Sequence, residues 1–283
     1  MLLLKKILKI TGLLLLIIFV VIYYLFSTFT APKSDRTVTK KFSGSIHKPI
    51  ITQEFFKHYK YRKLTIKKDT TLPTIVFVHG TIGSSTDFIE YMKDSLLLTR
   101  VNMVSYDRIG YNYNDDNSVQ ESIAFERDML KHVIKGLNLK KTILVGYSYG
   151  GPIALAVKEK LKKIILLAPA VYSKVEPMPW AINLYKSSIT KWLIPDVWKE
   201  ASKEKISHKK DLQNFENNWK SSLNSVISIH GTSDWIVPYE NSIFLRNQFP
   251  KEQFKLISIE NVGHGLVWSN FNEIKQQLIN QLD

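Results

Sequence analysis

The stretch Thr142-Ile143-Leu144-Val145-Gly146-Tyr147-Ser148-Tyr149-Gly150-Gly151-Pro152-Ile153-Ala154-Leu155 changes its pattern in the middle. Thr142 to Val145 form a continuous β-branched and aliphatic run, as in a strand covered on both faces. After Gly151 the apolar residues follow a helical spacing. A serine at so tight a strand-to-helix junction needs a strained backbone, and a glycine two residues to either side lets strand and helix approach closely. Such a turn pushes the Ser148 hydroxyl out at the carboxyl end of a sheet. The helix behind it aims its first amides, that of Tyr149 included, at the same point, where they can donate to an oxyanion.

On both sides the chain alternates short β-branched runs with longer helical patterns, the signature of parallel strands joined by crossover helices. Strands are expected near 62–68, 74–79, 102–107, 142–147, 163–168, 225–230 and 254–259, and helices near 85–98, 118–137, 149–160, 239–249 and 266–282. The fold class is therefore α/β, with a mostly parallel central sheet and helices on both faces. Residues 173–223 break the rhythm with Pro177, Pro179, Pro195 and four tryptophans, Trp180, Trp192, Trp198 and Trp219. An insertion of that length between two strands reads as a small helical lid.

The later strand ends supply partners for Ser148. His230-Gly231-Thr232-Ser233-Asp234 offers a carboxylate on a loop, and Asn261-Val262-Gly263-His264-Gly265 offers an imidazole on the next one. The chain order Ser148, Asp234, His264 suits three loops that open at one edge of a parallel sheet. Upstream, the strand at 74–78 runs into His79-Gly80-Thr81, whose turn presents the amide of Thr81 as a second oxyanion donor. Glu176, just after the preceding strand, is the rival of Asp234. Asp107 and Arg108 are expected to pair with each other across their turn, and His79 and His230 to stabilise theirs.

With these motifs and Asp107-Arg108-Ile109-Gly110-Tyr111, the chain resembles the α/β-hydrolase fold family over about four-fifths of its length, from about residue 60 to the C-terminus. The resemblance implies Ser148 as nucleophile, His264 as general base and then acid, Asp234 as its orienting carboxylate, and the amides of Thr81 and Tyr149 as the oxyanion hole. It also implies a serine esterase that cleaves a carboxylic ester through an acyl-enzyme. The same residues would serve an acyltransferase, a thioesterase, an amidase or a hydrolase of C–C bonds beside a ketone, and a non-catalytic ligand-binding scaffold is the alternative of another class. Two positions depart from the family pattern: Tyr147 stands where histidine is frequent, and Asn112 closes a turn that often ends in glycine. A serine nucleophile sets aside relatives that use aspartate. No cofactor is expected. The chain has no cysteine, and its seven histidines show no i, i+2 or i, i+4 metal-ligand spacing.

Composition bounds the partners. The net charge is +14, of which residues 33–72 carry +8. That excess directly follows an apolar segment, which favours a lipid surface over nucleic acid. Between Ile10 and Pro32 no residue is charged, and 23 residues span about 34 Å as a helix, enough for a hydrocarbon core of about 30 Å. Tyr23, Tyr24 and Phe26 suit an interfacial belt. Phe29 stands where a signal peptidase would need a small residue, so an uncleaved single-pass anchor is favoured, with a cleaved signal peptide and a secreted body as the alternative. Its lysine-bearing start favours an extracytoplasmic body, although the bases after it argue the other way. The expected division is an anchor at 1–32, a basic juxtamembrane segment at 33–60, and a hydrolase domain at 61–283 with its lid at about 173–223.

Overall fold

Eight strands form one sheet in the computed structural model, which describes residues Leu2–Leu282. They are β1 (Ile50–Phe56), β2 (Tyr59–Ile66), β3 (Thr74–Val78), β4 (Asn102–Tyr106), β5 (Thr142–Tyr147), β6 (Lys163–Leu167), β7 (Val226–Gly231) and β8 (Phe254–Ile259). The order is β1-β2-β4-β3-β5-β6-β7-β8, with β2 antiparallel to both its neighbours, β1 and β4, and β3 to β8 parallel to one another. The helices are α1 (Leu2–Thr30), α2 (Asp35–Lys41), α3 (Ile89–Lys93), α4 (Ser95–Leu98), α5 (Ile123–Val133), α6 (Gly150–Leu155), α7 (Ile182–Lys186), α8 (Asp196–Leu212), α9 (Glu240–Gln248), α10 (Leu266–Ser269) and α11 (Phe271–Ile279). This is the α/β-hydrolase fold, preceded by one long apolar helix.

The register explains why the central strands are apolar throughout. Val76, Leu144, Ile164 and Val226 lie side by side across four strands and face one core layer; Phe77, Val145, Ile165 and Ile227, each one residue on, face the other. With alternate side chains on opposite faces and both faces covered, neither set tolerates polarity.

The sheet begins earlier than the sequence suggests. β1 and α2 both lie within 33–60, the stretch expected to be a basic juxtamembrane segment. Ser34 caps α2 by accepting from the amide of Thr37, and Val38 and Phe42 are fully buried in the core beside Leu64 and Ile66. The β1–β2 turn is Lys57-His58, with Lys57 at a φ of 55°, and lacks the Asn-Gly signal that marks a hairpin in a sequence. Residues 33–56 therefore pack onto the body. The 173–223 segment lies between β6 and β7 and contributes α7 and α8.

Candidate active site

Ser148 sits between β5 and α6 with a φ of 54°, left-handed backbone that costs a non-glycine residue on the order of 1–3 kcal/mol. Three backbone hydrogen bonds hold it there. Its amide donates to Leu167 O at 2.9 Å, and its carbonyl accepts from the amides of Gly151 at 2.9 Å and Ala170 at 3.2 Å. Glycine is required at 150 because a Cβ there would lie 2.2 Å from Val78 O, where α6 crosses β3.

The loops after β7 and β8 bring Asp234 and His264 to this serine. His264 Nε2 is 3.0 Å from Ser148 Oγ, and His264 Nδ1 is 2.7 Å from Asp234 Oδ2. A carboxylate beside Nδ1 accepts the proton there, which leaves Nε2 with its lone pair toward the hydroxyl. Burial pushes the Asp234 carboxyl up, but hydrogen bonds from His230 and His264 outweigh it and hold the group well below the usual carboxylate range. The amides of Ile236 and Val237 also donate to its other oxygen, at 3.0 and 2.9 Å. The Tyr147 hydroxyl donates to the carbonyl of His264 at 3.0 Å, and its ring stacks on the imidazole at 5.1 Å.

The turn after β3 closes the other side. Gly80 lies against the serine, for a Cβ there would be 2.8 Å from Ser148 Cβ. Its carbonyl accepts from His79 Nδ1 at 2.7 Å, Arg108 Nη2 at 3.1 Å and the Gly83 amide at 3.2 Å. A trans peptide is planar, so the N–H of Thr81 points opposite to that carbonyl, and the three donors fix its direction. Arg108 is itself held by Glu204 of α8, at 2.6 and 2.9 Å, and lies between the rings of Tyr111 and Tyr149. Glu204 also accepts from Thr81 Oγ1 at 2.6 Å and from Tyr111 OH at 2.9 Å. Burial raises the Glu204 carboxyl, but Arg108 and these hydrogen bonds bring it below its ordinary value.

One pairing differs from the sequence expectation. Asp107 and Arg108 do not pair with each other: Asp107 binds Arg62 at 2.7 Å and Arg108 binds Glu204, because the two side chains leave the turn toward opposite partners. Glu176 pairs with Lys205 of α8, and it is Asp234 that faces His264. The lid tryptophans divide, with Trp219 buried and donating to Val171 O at 3.0 Å while Trp180 and Trp192 point to solvent. His79 bridges Gly80 O and the amide of Arg108, and burial pushes its pKa well down, so it is neutral. Glu204 was not singled out in the sequence. It sits in a helix dense in Lys and Glu, and its partner Arg108 is 96 residues away. Among the described residues, no group of three or more His, Asp or Glu side chains is disposed to hold a metal ion.

A family profile described as alpha/beta hydrolase fold matches residues 73–201, a stretch that contains Ser148 and ends before Asp234 and His264. Among curated relatives, "Probable 1-acylglycerol-3-phosphate O-acyltransferase" of Oryza sativa subsp. japonica is 29% identical over 119 residues, 39% of this chain and 28% of that protein. The sn-1-specific diacylglycerol lipase ABHD11 of Mus musculus is 32% identical over 87 residues, 31% of this chain and 28% of that protein. The chain thus spans less than a third of the length of either relative. Among solved structures, the esterase EaEST from Exiguobacterium antarcticum superposes with a TM-score of 0.63 at 18% identity, covering 79% of this chain and 96% of that one. The protein has the α/β-hydrolase fold.

Proposed function

We propose that this protein is a membrane-anchored serine hydrolase that cleaves a carboxylic ester through an acyl-enzyme. The observation that carries this reading is the hydrogen-bonded line Ser148 Oγ, His264 Nε2, His264 Nδ1, Asp234 Oδ2, with separations of 3.0 and 2.7 Å. A serine hydroxyl is a weak nucleophile; as its oxygen attacks the ester carbonyl, His264 takes the proton through Nε2 while Asp234 stabilises the imidazolium. The tetrahedral oxyanion is bound by the amides of Thr81 and Tyr149, each worth about 3 kcal/mol. His264 then returns the proton to the leaving alcohol. In the second half it activates a water that releases the acid and regenerates Ser148.

An acyl acceptor other than water would turn the same intermediate into a transfer reaction, a reading favoured by the name of the rice relative. The lipase and esterase names of other relatives favour hydrolysis. Helix α1 is read as the anchor, with the body on the extracytoplasmic side. Its segment Leu3–Thr30 has a mean hydropathy of 2.6, the length and composition of either an anchor or a signal sequence. Detergent-solubilised full-length protein is expected to hydrolyse a short-chain p-nitrophenyl ester, and Ser148→Ala to lose at least about 10⁴-fold in kcat. Folded wild-type protein without turnover on an ester panel would refute the proposal.

A further inference from the structure

We propose that the outer face of the 173–223 segment is a second membrane contact, which seats the mouth of the site on the bilayer that supplies its substrate, a long-chain acyl ester resident in the lipid. The substrate class rests on the ester-hydrolase reading above, and the docking rests on the reading of α1 as an anchor. Trp180, Ile189 and Trp192 are 76%, 80% and 71% exposed, and Met178 and Leu184 of the same segment are exposed as well. So many large apolar groups on one surface segment call for a covering phase.

The occupant follows from where α1 meets this segment. Tyr23, Ser27 and Thr30, spaced four and three apart, form one stripe of α1 that is partly covered, and Phe26 packs on Trp198 of α8 with ring centroids 5.2 Å apart. A hydrocarbon core of about 30 Å takes about 20 helical residues. Counted from Ile10, the first residue after Lys9, that core ends near Phe29. Phe26 lies about one turn inside that limit, so Trp198 sits at the boundary between acyl chains and headgroups. Helix α7 packs on α8, and the single turn Lys191–Leu193 packs on α7, so Trp180, just before α7, and Trp192 flank a helix that packs on the element touching the anchor. Tryptophan prefers that depth, and the interspersed Lys186 and Lys191 can extend to lipid phosphates.

The joint that sets this height is not a free swivel. Lys33 Nζ donates to the carbonyls of Thr28 and Phe29 at the end of α1, at 2.5 and 3.0 Å. Arg62 of β2 in turn donates to the Lys33 carbonyl at 2.5 Å and pairs with Asp35 at 3.1 Å. Since the segment is inserted between β6 and β7, it borders the sheet edge that carries Ser148. On this proposal an acyl chain reaches Ser148 from the lipid side of the segment.

The test uses the full chain reconstituted in phosphatidylcholine vesicles whose acyl chains are brominated near the headgroup. Wild type is expected to lose about half of its tryptophan emission, the share of Trp180, Trp192 and Trp198 among six, and a Trp180→Phe, Trp192→Phe variant about a quarter. In Trp180→Asp, Ile189→Asp, Trp192→Asp, hydrolysis of a vesicle-borne long-chain ester should fall about tenfold or more, with fluorophosphonate labelling in detergent within about twofold of wild type. Equal fractional quenching in wild type and the double Phe variant overturns the proposal, as does vesicle hydrolysis that falls no further than labelling. Absent quenching, with a detergent-stable dimer that the triple variant dissociates, also overturns it and assigns the face to a second copy of this chain. Wild type that is never labelled would sink the ester-hydrolase reading, and the quenching comparison would still decide the docking.

Discussion

At the scale of single residues, the arrangement around Ser148 depends on groups that do not touch it. Glu204 holds Arg108, Arg108 holds the carbonyl of Gly80, and that carbonyl sets the direction of the Thr81 amide. Glu204→Gln keeps the size of the side chain but removes the charge that fixes Arg108. It is expected to lower kcat on a soluble ester roughly tenfold with KM within about twofold, since in the proposed mechanism the Thr81 amide binds the oxyanion, and its misdirection would act on the transition state. A rise in KM at constant kcat would instead place Glu204 with substrate binding. The acid limb of the pH profile has a definite form as well. Asp234 stays ionised, because its histidine hydrogen bonds hold it below the usual carboxylate range, so the carboxylate adds no proton to the acid limb and kcat should rise with pH along a single-proton slope. A two-proton slope would contradict this. Glu126 gives a stability test: burial pushes its carboxyl up to about 7, with Arg108 opposing and Glu204 adding to the effect. The folded state then keeps a proton that the unfolded chain releases near 4.5, so stability falls as pH rises between those values and levels off above them. Glu126→Gln removes that titration. Its advantage over wild type in denaturant melts should grow, between about pH 5 and pH 8, by on the order of 2 kcal/mol.

At the scale of elements, the parallel core was legible because its strands are short, β-branched and apolar on both faces; β3, β5, β6, β7 and β8 lie within a residue or two of where the sequence puts them. What was hidden lies before them. In α2 and its C-cap the apolar contacts are only Val38 and Phe42, set among charged residues that mask the amphipathic pattern. In β1, alternation is blurred by Gln53-Glu54, and the turn that follows carries no glycine. Phe42 is fully buried against Val38 and Leu64, so Phe42→Ala is expected to destabilise the protein by about 3 kcal/mol in chemical denaturation. An unchanged midpoint would mean that residues 33–42 are a tether after all. The strand-end loops bearing Ser148, Asp234 and His264 could be read from glycines and chain order. Glu204 could not, since a buried acid in a Lys- and Glu-rich helix looks like any surface residue until its partner from a distant strand end is known.

At the scale of the whole molecule, one sheet edge gathers a serine from residue 148, a carboxylate from 234 and an imidazole from 264, while an apolar helix at the other end of the sequence meets the segment beside that edge. The basic excess at 33–72 is divided by the fold: Arg62 is fully buried between Asp35 and Asp107, Lys33 caps the end of α1, and most of the other bases there are exposed. Chemistry and location thus rest on separate features and fail separately. The chemistry is tested most directly by treating full-length protein with a fluorophosphonate and mapping the adduct by peptide mass. The adduct is expected on Ser148 alone, and the rate of its formation should fall by at least about 10³-fold in His264→Ala. An adduct elsewhere, or labelling of Ser148 at an undiminished rate without His264, would contradict the proposed proton transfer.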